Sequence, residues 1–249
     1  RIHGSDAVPE QDARIAQTVD AVPEGRVPPL RALQILTGRG YQEAINYSFV
    51  GPALQTQLFP GSEQLILRNP IAADMSAMRV SLWPGLLSAA GANLRRQQTR
   101  VRLVEYGSKF VTGADGLQEV PPLAGIAAGA ALAEQWGEKS RAVDFFDVKG
   151  DVQAVLDATG CAPAFTFEPA ALACLHPGRA ARILRAGEPV GWIGELHPEQ
   201  ARALDWPARL TYGAPILFEL ETAAALAGQR PAFEEISKYP SIRRDLALI

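Results

Sequence analysis

The residues with the most chemical potential in this chain are few and widely spaced. Cys161, Cys174, His176 and His197 are the possible metal ligands. Structural zinc favours tight ligand pairs, because close spacing orders two ligands at once. Only Cys174 and His176 come close to that: in an extended segment their side chains share one side. The other gaps are wide, so packing roles are expected for all four and no metal site is assigned. Neither a G-x-S-x-G elbow nor a cysteine beside an activating base is present, and nothing points to nucleophilic catalysis. The glycines form no G-x-x-x-x-G-K-[ST] loop and no strand-linked G-x-G-x-x-G fingerprint. Gly125 and Gly129 fall inside an apolar run, where they allow close packing. His176-Pro177 and His197-Pro198 invite a catalytic reading. The residue before proline is held extended, so each pair marks the edge of an element, and His197 falls where a helix N-cap belongs. Last come Arg95, Arg96, Arg100 and Arg102. The first three are the candidates for an RNA or phosphate contact. The favoured alternative is cations at a helix C-terminus, their stems covering apolar surface.

The elements that must position these side chains follow from periodicity. A short helix carries Leu30, Leu33 and Leu36 on one face and stops at Gly38 and Gly40. Residues 43–50 alternate, with Ile45, Tyr47 and Phe49 apolar, and predict a half-buried strand. A helix over 52–58 and a short strand over 64–68, closed by Asn69-Pro70, come next. The clearest helix begins at Pro84, since proline suits a first turn, and carries Leu86, Leu87, Ala90 and Leu94. Strands are expected over 101–106 and 122–129. Asp144 can cap a helix bearing Phe145, Val148, Val152, Val155 and Leu156, ended by Gly160. Residues 180–184 and 190–195 flank Ala186-Gly187-Glu188 as a hairpin. Pro198 opens a helix broken at Pro207, and 216–220 is a strand followed by a short helix through Ala225. The fold class is α+β: a largely antiparallel sheet with packed helices.

Bulk properties narrow the function classes. The 249 residues allow one large domain or two small ones. The net charge of −3 argues against a domain that lives by gripping nucleic acid, so any RNA contact is local or shared with another chain. Two cysteines are too few for a disulfide framework, and a reducing cytoplasm is expected. No apolar run is long enough to span a membrane. The chain begins at Arg1 and stops within a strand-like pattern, and reads as a segment of a longer one.

Several blocks together resemble one family. They are residues 1–9 (from Arg1-Ile2-His3-Gly4 to Val8-Pro9), 40–50 (Gly40-Tyr41 to Phe49-Val50), Asn69-Pro70-Ile71, 75–87 (Met75-Ser76 to Leu86-Leu87) and 93–97 (Asn93 to Gln97). Later come 144–150 (Asp144-Phe145-Phe146-Asp147-Val148-Lys149-Gly150), 175–181 (Leu175-His176-Pro177 to Ala181), 191–198 (Gly191-Trp192 to His197-Pro198) and 238–245 (Lys238-Tyr239-Pro240 to Asp245). In this order and spacing the chain resembles the β subunit of bacterial phenylalanyl-tRNA synthetase over essentially its whole length. The arm departs from the family pattern, with His3 and Ser5 where an aromatic pair flanks Gly4. The resemblance implies a class II aminoacyl-tRNA synthetase-like core. Residues 1–28 would be an arm from an upstream module, 29–230 the synthetase-like domain, and 231–249 a linker and the start of a ferredoxin-like anticodon-binding domain. It implies as partners a catalytic α subunit, a second αβ pair and tRNA(Phe), with ATP and Mg²⁺ used by the holoenzyme. The family's magnesium-linked acidic residues precede Arg1, so no cofactor or metal ligand is assigned to this segment.

The same resemblance implies that the domain is inert alone. Adenylate formation builds negative charge on phosphoryl oxygens and depends on cationic stabilisation. Active class II sites place an arginine, then an acidic residue, after the strand matching residues 102–110, and a second arginine on a glycine-rich segment near the end. Here Gly107-Ser108-Lys109-Phe110 runs into Val111-Thr112-Gly113, and Phe218-Glu219-Leu220-Glu221-Thr222 has neither glycine nor arginine. Lysine does not replace a planar bidentate arginine. Losing both donors, each worth roughly 10²-fold or more, leaves no useful activation. The rival readings are an active site built from other residues, a stand-alone RNA-binding module with a degenerate synthetase fold, and an unrelated α+β domain.

Overall fold

The computed structural model describes residues 25–113, 116–207 and 213–228, together with Tyr239. Residues 1–24 of the expected arm, and the expected C-terminal start beyond 228 apart from Tyr239, lie outside the described residues.

The architecture is the expected antiparallel sheet with packed helices. Its elements are α1 (Pro29–Gly38), β1 (Gln42–Glu43), β2 (Phe49–Val50), α2 (Pro52–Leu58), β3 (Ala77–Met78) and α3 (Trp83–Arg95). Next come β4 (Arg100–Tyr106), β5 (Lys109–Gly113), β6 (Gly116–Val120), β7 (Pro122–Gly129), α4 (Phe145–Asp157) and β8 (Phe165–Pro169). The order closes with β9 (Leu175–Arg185), β10 (Glu188–Leu196), α5 (Pro198–Ala203), β11 (Ile216–Glu221) and α6 (Thr222–Ala225). Seven strands form the main sheet in the order β1-β4-β7-β11-β10-β9-β8. Only β1 and β4 run parallel. The last of the described strands, β11, therefore sits in the middle, hydrogen-bonded to β7 on one side and β10 on the other. Small two-stranded sheets, β2-β3 and β5-β6, flank it.

Both faces of the sheet are covered, which explains why all of β7 is buried and apolar. On the first face, Ala32, Leu33 and Leu36 of α1 and Val148, Val152, Val155 and Leu156 of α4 pack on Val104, Ile183, Ile193 and Phe218. On the second, Leu86, Leu87, Ala90 and Leu94 of α3 pack on Val101, Leu103, Ala124, Ile126 and Leu217. Local chemistry sets the ends. Asp144 Oδ1 accepts from the Phe146 and Asp147 amides at 2.8 and 3.0 Å, and Asp147 Oδ2 accepts from the Asp144 amide at 2.9 Å, a reciprocal cap on α4. The β9-β10 turn is the two-residue loop Ala186-Gly187, both left-handed at φ 50° and 86°, as the strand twist requires.

Three expectations change. Leu30 is 65% exposed, because it lies about a third of a turn off the stripe centred on Ala32, Leu33 and Leu36; alanine takes the inward position. Residues 43–50 are not one strand: the chain leaves the main sheet after Ala44, whose amide donates to the Val104 carbonyl, and pairs again from Ser48 into β2. Ile45 and Tyr47 are 92% and 64% exposed. Asn46 ties the segment down instead, its Nδ2 donating to Glu105 Oε2 at 2.6 Å. The strand over 64–68 shrinks to a single bridge between Ile66 and Ala77.

The glycines of β7 do allow close packing. A Cβ on Gly125 would lie 2.4 Å from Phe218 Cε1. Gly129 has φ +86°, and a Cβ there would lie 2.1 Å from the Thr99 carbonyl oxygen, which is backbone and cannot step aside. Gly129→Ala is expected to destabilise the protein by about 2–4 kcal/mol, from left-handed strain plus overlap. A urea midpoint unchanged from the parent protein would contradict this.

Candidate functional site

The second face of the sheet carries a row of polar side chains among apolar ones. Arg182 of β9, Trp192 of β10, Glu219 of β11, Ala124 of β7 and Glu105 of β4 are successive register partners. Directly opposed residues share a face, and Leu217, Ile126 and Leu103, two places along, pack with the α3 side chains. The row therefore points into the layer between the sheet and α3, where the start of α3 and the β5 strand close over it.

Two carboxylates in this row are buried, and each has its own cation. Glu105 Oε1 accepts from Arg79 Nη1 at 2.7 Å, with both side chains 3% exposed. Arg79 Nε also donates to the Ser108 carbonyl at 2.8 Å, so the pair pins the turn between β4 and β5. Glu219 Oε1 accepts from Lys109 Nζ at 2.9 Å, and Oε2 accepts from Ser81 Oγ at 2.6 Å and the Leu82 amide at 3.1 Å. Ser81 Oγ in turn accepts from the Trp83 amide at 3.1 Å, and Trp83 Nε1 donates to the Phe218 carbonyl at 2.9 Å. Lys109 Nζ reaches Glu221 Oε1 at 2.5 Å as well. Burial opposes the charged form of Lys109, but the Glu219 and Glu221 carboxylates outweigh it and hold the ammonium above the usual lysine range. A cavity of about 240 Å³ remains beside this network, lined by Phe59, Trp83, Lys109, Arg182, Trp192 and Glu221 among others.

Chemically this is a closed site. Both oxygens of Glu219 are engaged, so it can neither abstract a proton nor ligate a metal without breaking buried bonds. The one lysine is neutralised by two carboxylates. Around Lys109 two carboxylates outnumber the one ammonium, so that end of the site does not suit a triphosphate.

The sequence-selected residues lie elsewhere. The arginines are split by the sheet. Arg95 packs over α3 and donates to the Asp205 carbonyl at 3.0 Å, and Arg96 is exposed just past the helix end. Arg100 lies over Gly40 on the first face, and Arg102 is buried there against Asp151 at 2.6 Å. Burial, then the neighbouring Arg102, pulls the Arg100 guanidinium below its usual range. Cys161 and Cys174 are buried, and burial pushes the Cys174 thiol up to about 12. His176 and His197 each accept a backbone N–H two residues ahead, at 3.0 and 3.2 Å, and His197 caps α5. Among the described residues no group of three His, Cys, Asp or Glu is placed to hold a metal. Sequence reading marked residues 107–110 and 218–222 but missed that Lys109, Glu219 and Glu221 meet. The available signal was the acidic side of the alternating Phe218-Glu219-Leu220-Glu221, which reads as solvent-facing unless the second face is known to be covered.

Comparison with known proteins places this geometry. The family model for the phenylalanyl tRNA synthetase beta chain CLM domain matches residues 29–221, from the first residue of α1 to the last of β11. The chain belongs to this family. The phenylalanine–tRNA ligase beta subunit of Pseudomonas syringae pv. tomato is 47% identical over 253 residues, covering 100% of this chain and 31% of that protein. That of Methylococcus capsulatus is 44% identical over 249 residues with the same coverage. The chain thus spans about a third of the length of the curated relatives it matches. Among solved structures, a pyrrolysyl tRNA synthetase of Desulfitobacterium hafniense superposes with a TM-score of 0.61 over 80% of this chain and 64% of that one. At 12% identity it speaks for the fold alone, which is that of a class II synthetase core. The Lys109–Glu219–Glu221 network stands on this synthetase-type frame.

Proposed function

We propose that this domain is a non-catalytic synthetase core that helps assemble a phenylalanine–tRNA ligase. The observation that carries the reading is the Lys109 ammonium locked between Glu219 and Glu221, at the two segments where an active relative would need free arginines. The fold is retained for its surface, and the catalytic α subunit binds it; two such αβ pairs form the ligase, in the cytoplasm. The α subunit handles ATP and Mg²⁺, and tRNA(Phe) is the acceptor. Support for a partner comes from the apolar side chains that this chain leaves uncovered around α3. Tyr47 lines a groove of about 430 Å³ with Phe49, Leu54, Met75 and Ala89, and Ile45 and Ile71 are exposed nearby in sequence. Among the described residues no helix is long and apolar enough to cross a membrane.

Phenylalanine-dependent ATP–pyrophosphate exchange tests the reading. The full-length subunit alone is expected to show none, and the same subunit assembled with its α partner is expected to exchange. Exchange by the subunit alone would overturn it.

A further inference from the structure

Among the described residues, one cation facing this site has no ion-pair partner. Arg182 lies over the Trp192 ring, its guanidinium carbon 4.7 Å from the ring centroid. Its Nε is shut off from solvent and has no hydrogen-bond partner. No carboxylate pairs with it among the described residues, its β8 register neighbour Glu168 included. A guanidinium cannot lose its proton to escape this situation, and an unmade buried hydrogen bond carries a desolvation penalty of about 1–3 kcal/mol. Such a group takes its acceptor from a water or a ligand, since the described residues supply none.

The space beside it has a definite character. The cavity of about 240 Å³ is walled by Phe59, Trp83, Leu172, Pro189 and Trp192. Phe59 and Trp83 stack with centroids 6.0 Å apart. On the far side stand Lys109 and its two carboxylates, with the Glu219 oxygens fully engaged. That side repels polyanions and has nothing to offer a metal. The volume lies below the roughly 300–1,000 Å³ of pockets for drug-sized ligands. We infer that the cavity binds a small organic monocarboxylate with an apolar body, its carboxylate on Arg182 and its body against Trp192, Trp83 and Phe59. The carboxylate supplies the missing acceptor in the planar geometry that arginine matches, and the aromatic walls exclude water from the ion pair. This goes beyond the assembly role: a core that no longer activates an amino acid can still hold a ligand where the network leaves room.

The probe is 3-phenylpropionate, with its uncharged amide, 3-phenylpropanamide, as the control. Calorimetric titration uses the full-length subunit assembled with its partner. The Arg182→Gln complex reports whatever binds elsewhere in the assembly. Expected results are saturable binding of the carboxylate, at least tenfold weaker binding of the amide, and at least tenfold weaker carboxylate binding to Arg182→Gln. Pyrophosphate exchange by the assembled variant should stay at the parental level, which separates this test from that of the assembly reading. Three outcomes overturn the proposal: no saturable binding, equal binding of acid and amide, or equal binding by the parent and the variant. Where Arg182→Gln fails to fold, Arg182→Met, which keeps the apolar stem over Trp192, serves as the second variant with the same tenfold loss expected.

Discussion

Asp151→Ala is expected to destabilise the protein by about 3–5 kcal/mol, the usual loss when one member of a buried ion pair is removed. Asp151 sits on the inward stripe of α4 and is 4% exposed. It accepts from Arg102 Nη1 and Arg39 Nε at 2.6 Å each and from Tyr41 Oη at 3.0 Å. The Tyr41 phenol is pushed well above its ordinary range, first by burial and then by the Asp151 charge, so it stays protonated and donates. One carboxylate thus joins α4 to the loop after α1 and to β4. With alanine in its place, Arg102 becomes a buried cation with only the Ala131 carbonyl left to receive it. Arg39, 43% exposed, can turn to water; Arg102, 7% exposed, cannot. Asp151→Asn keeps acceptor geometry without charge and should fall between the parent and alanine. Urea unfolding followed by tryptophan fluorescence measures both, and a loss below about 1 kcal/mol for alanine would show that the cluster relaxes easily.

The second large effect is on assembly. Placing aspartate at Ile45 and Tyr47 together is expected to weaken association with the α subunit by at least 30-fold. Central apolar anchors are commonly worth about 2 kcal/mol or more each, and a buried unpaired charge adds to the loss. Both side chains are already exposed in this chain, so the unfolding midpoint of the subunit alone should hardly move. Light scattering of mixtures at micromolar concentration, beside the urea midpoint, separates the two effects. An assembly of parental affinity would remove this patch from the interface.

Ile45 and Tyr47 also show where sequence reading stops. Periodicity marks residues suited to burial, and over 43–50 it marked Ile45 and Tyr47, which this chain leaves 92% and 64% exposed; it cannot say whether the chain itself covers them. Where coverage is internal, pattern and structure agree. α2 runs over 52–58, α3 carries the Leu86–Leu94 stripe, α4 starts at its Asp144 cap, and the hairpin turns at Ala186-Gly187. The site was half legible. Residues 107–110 and 218–222 stood out for the arginines they lack. What occupies the gap, Lys109 bonded to a residue 110 positions away, depends on strand order, which no local pattern encodes. Strand order also separates Arg95 from Arg102: neighbours in sequence, these side chains end up on opposite faces of one sheet.

The position of β11 has a consequence for how the protein is made. The middle strand of the sheet is the last to leave the ribosome, and β7 and β10 touch no common neighbour until it arrives. At about 5–20 residues per second, the roughly hundred residues from β7 to β11 take some 5–20 s to synthesise. Throughout that interval β7 offers an unpaired, wholly apolar edge, the feature most prone to mispairing. Folding of this core is therefore gated by completion of residue 221, and a nascent chain stalled short of it should depend on chaperones, however stable the finished domain is.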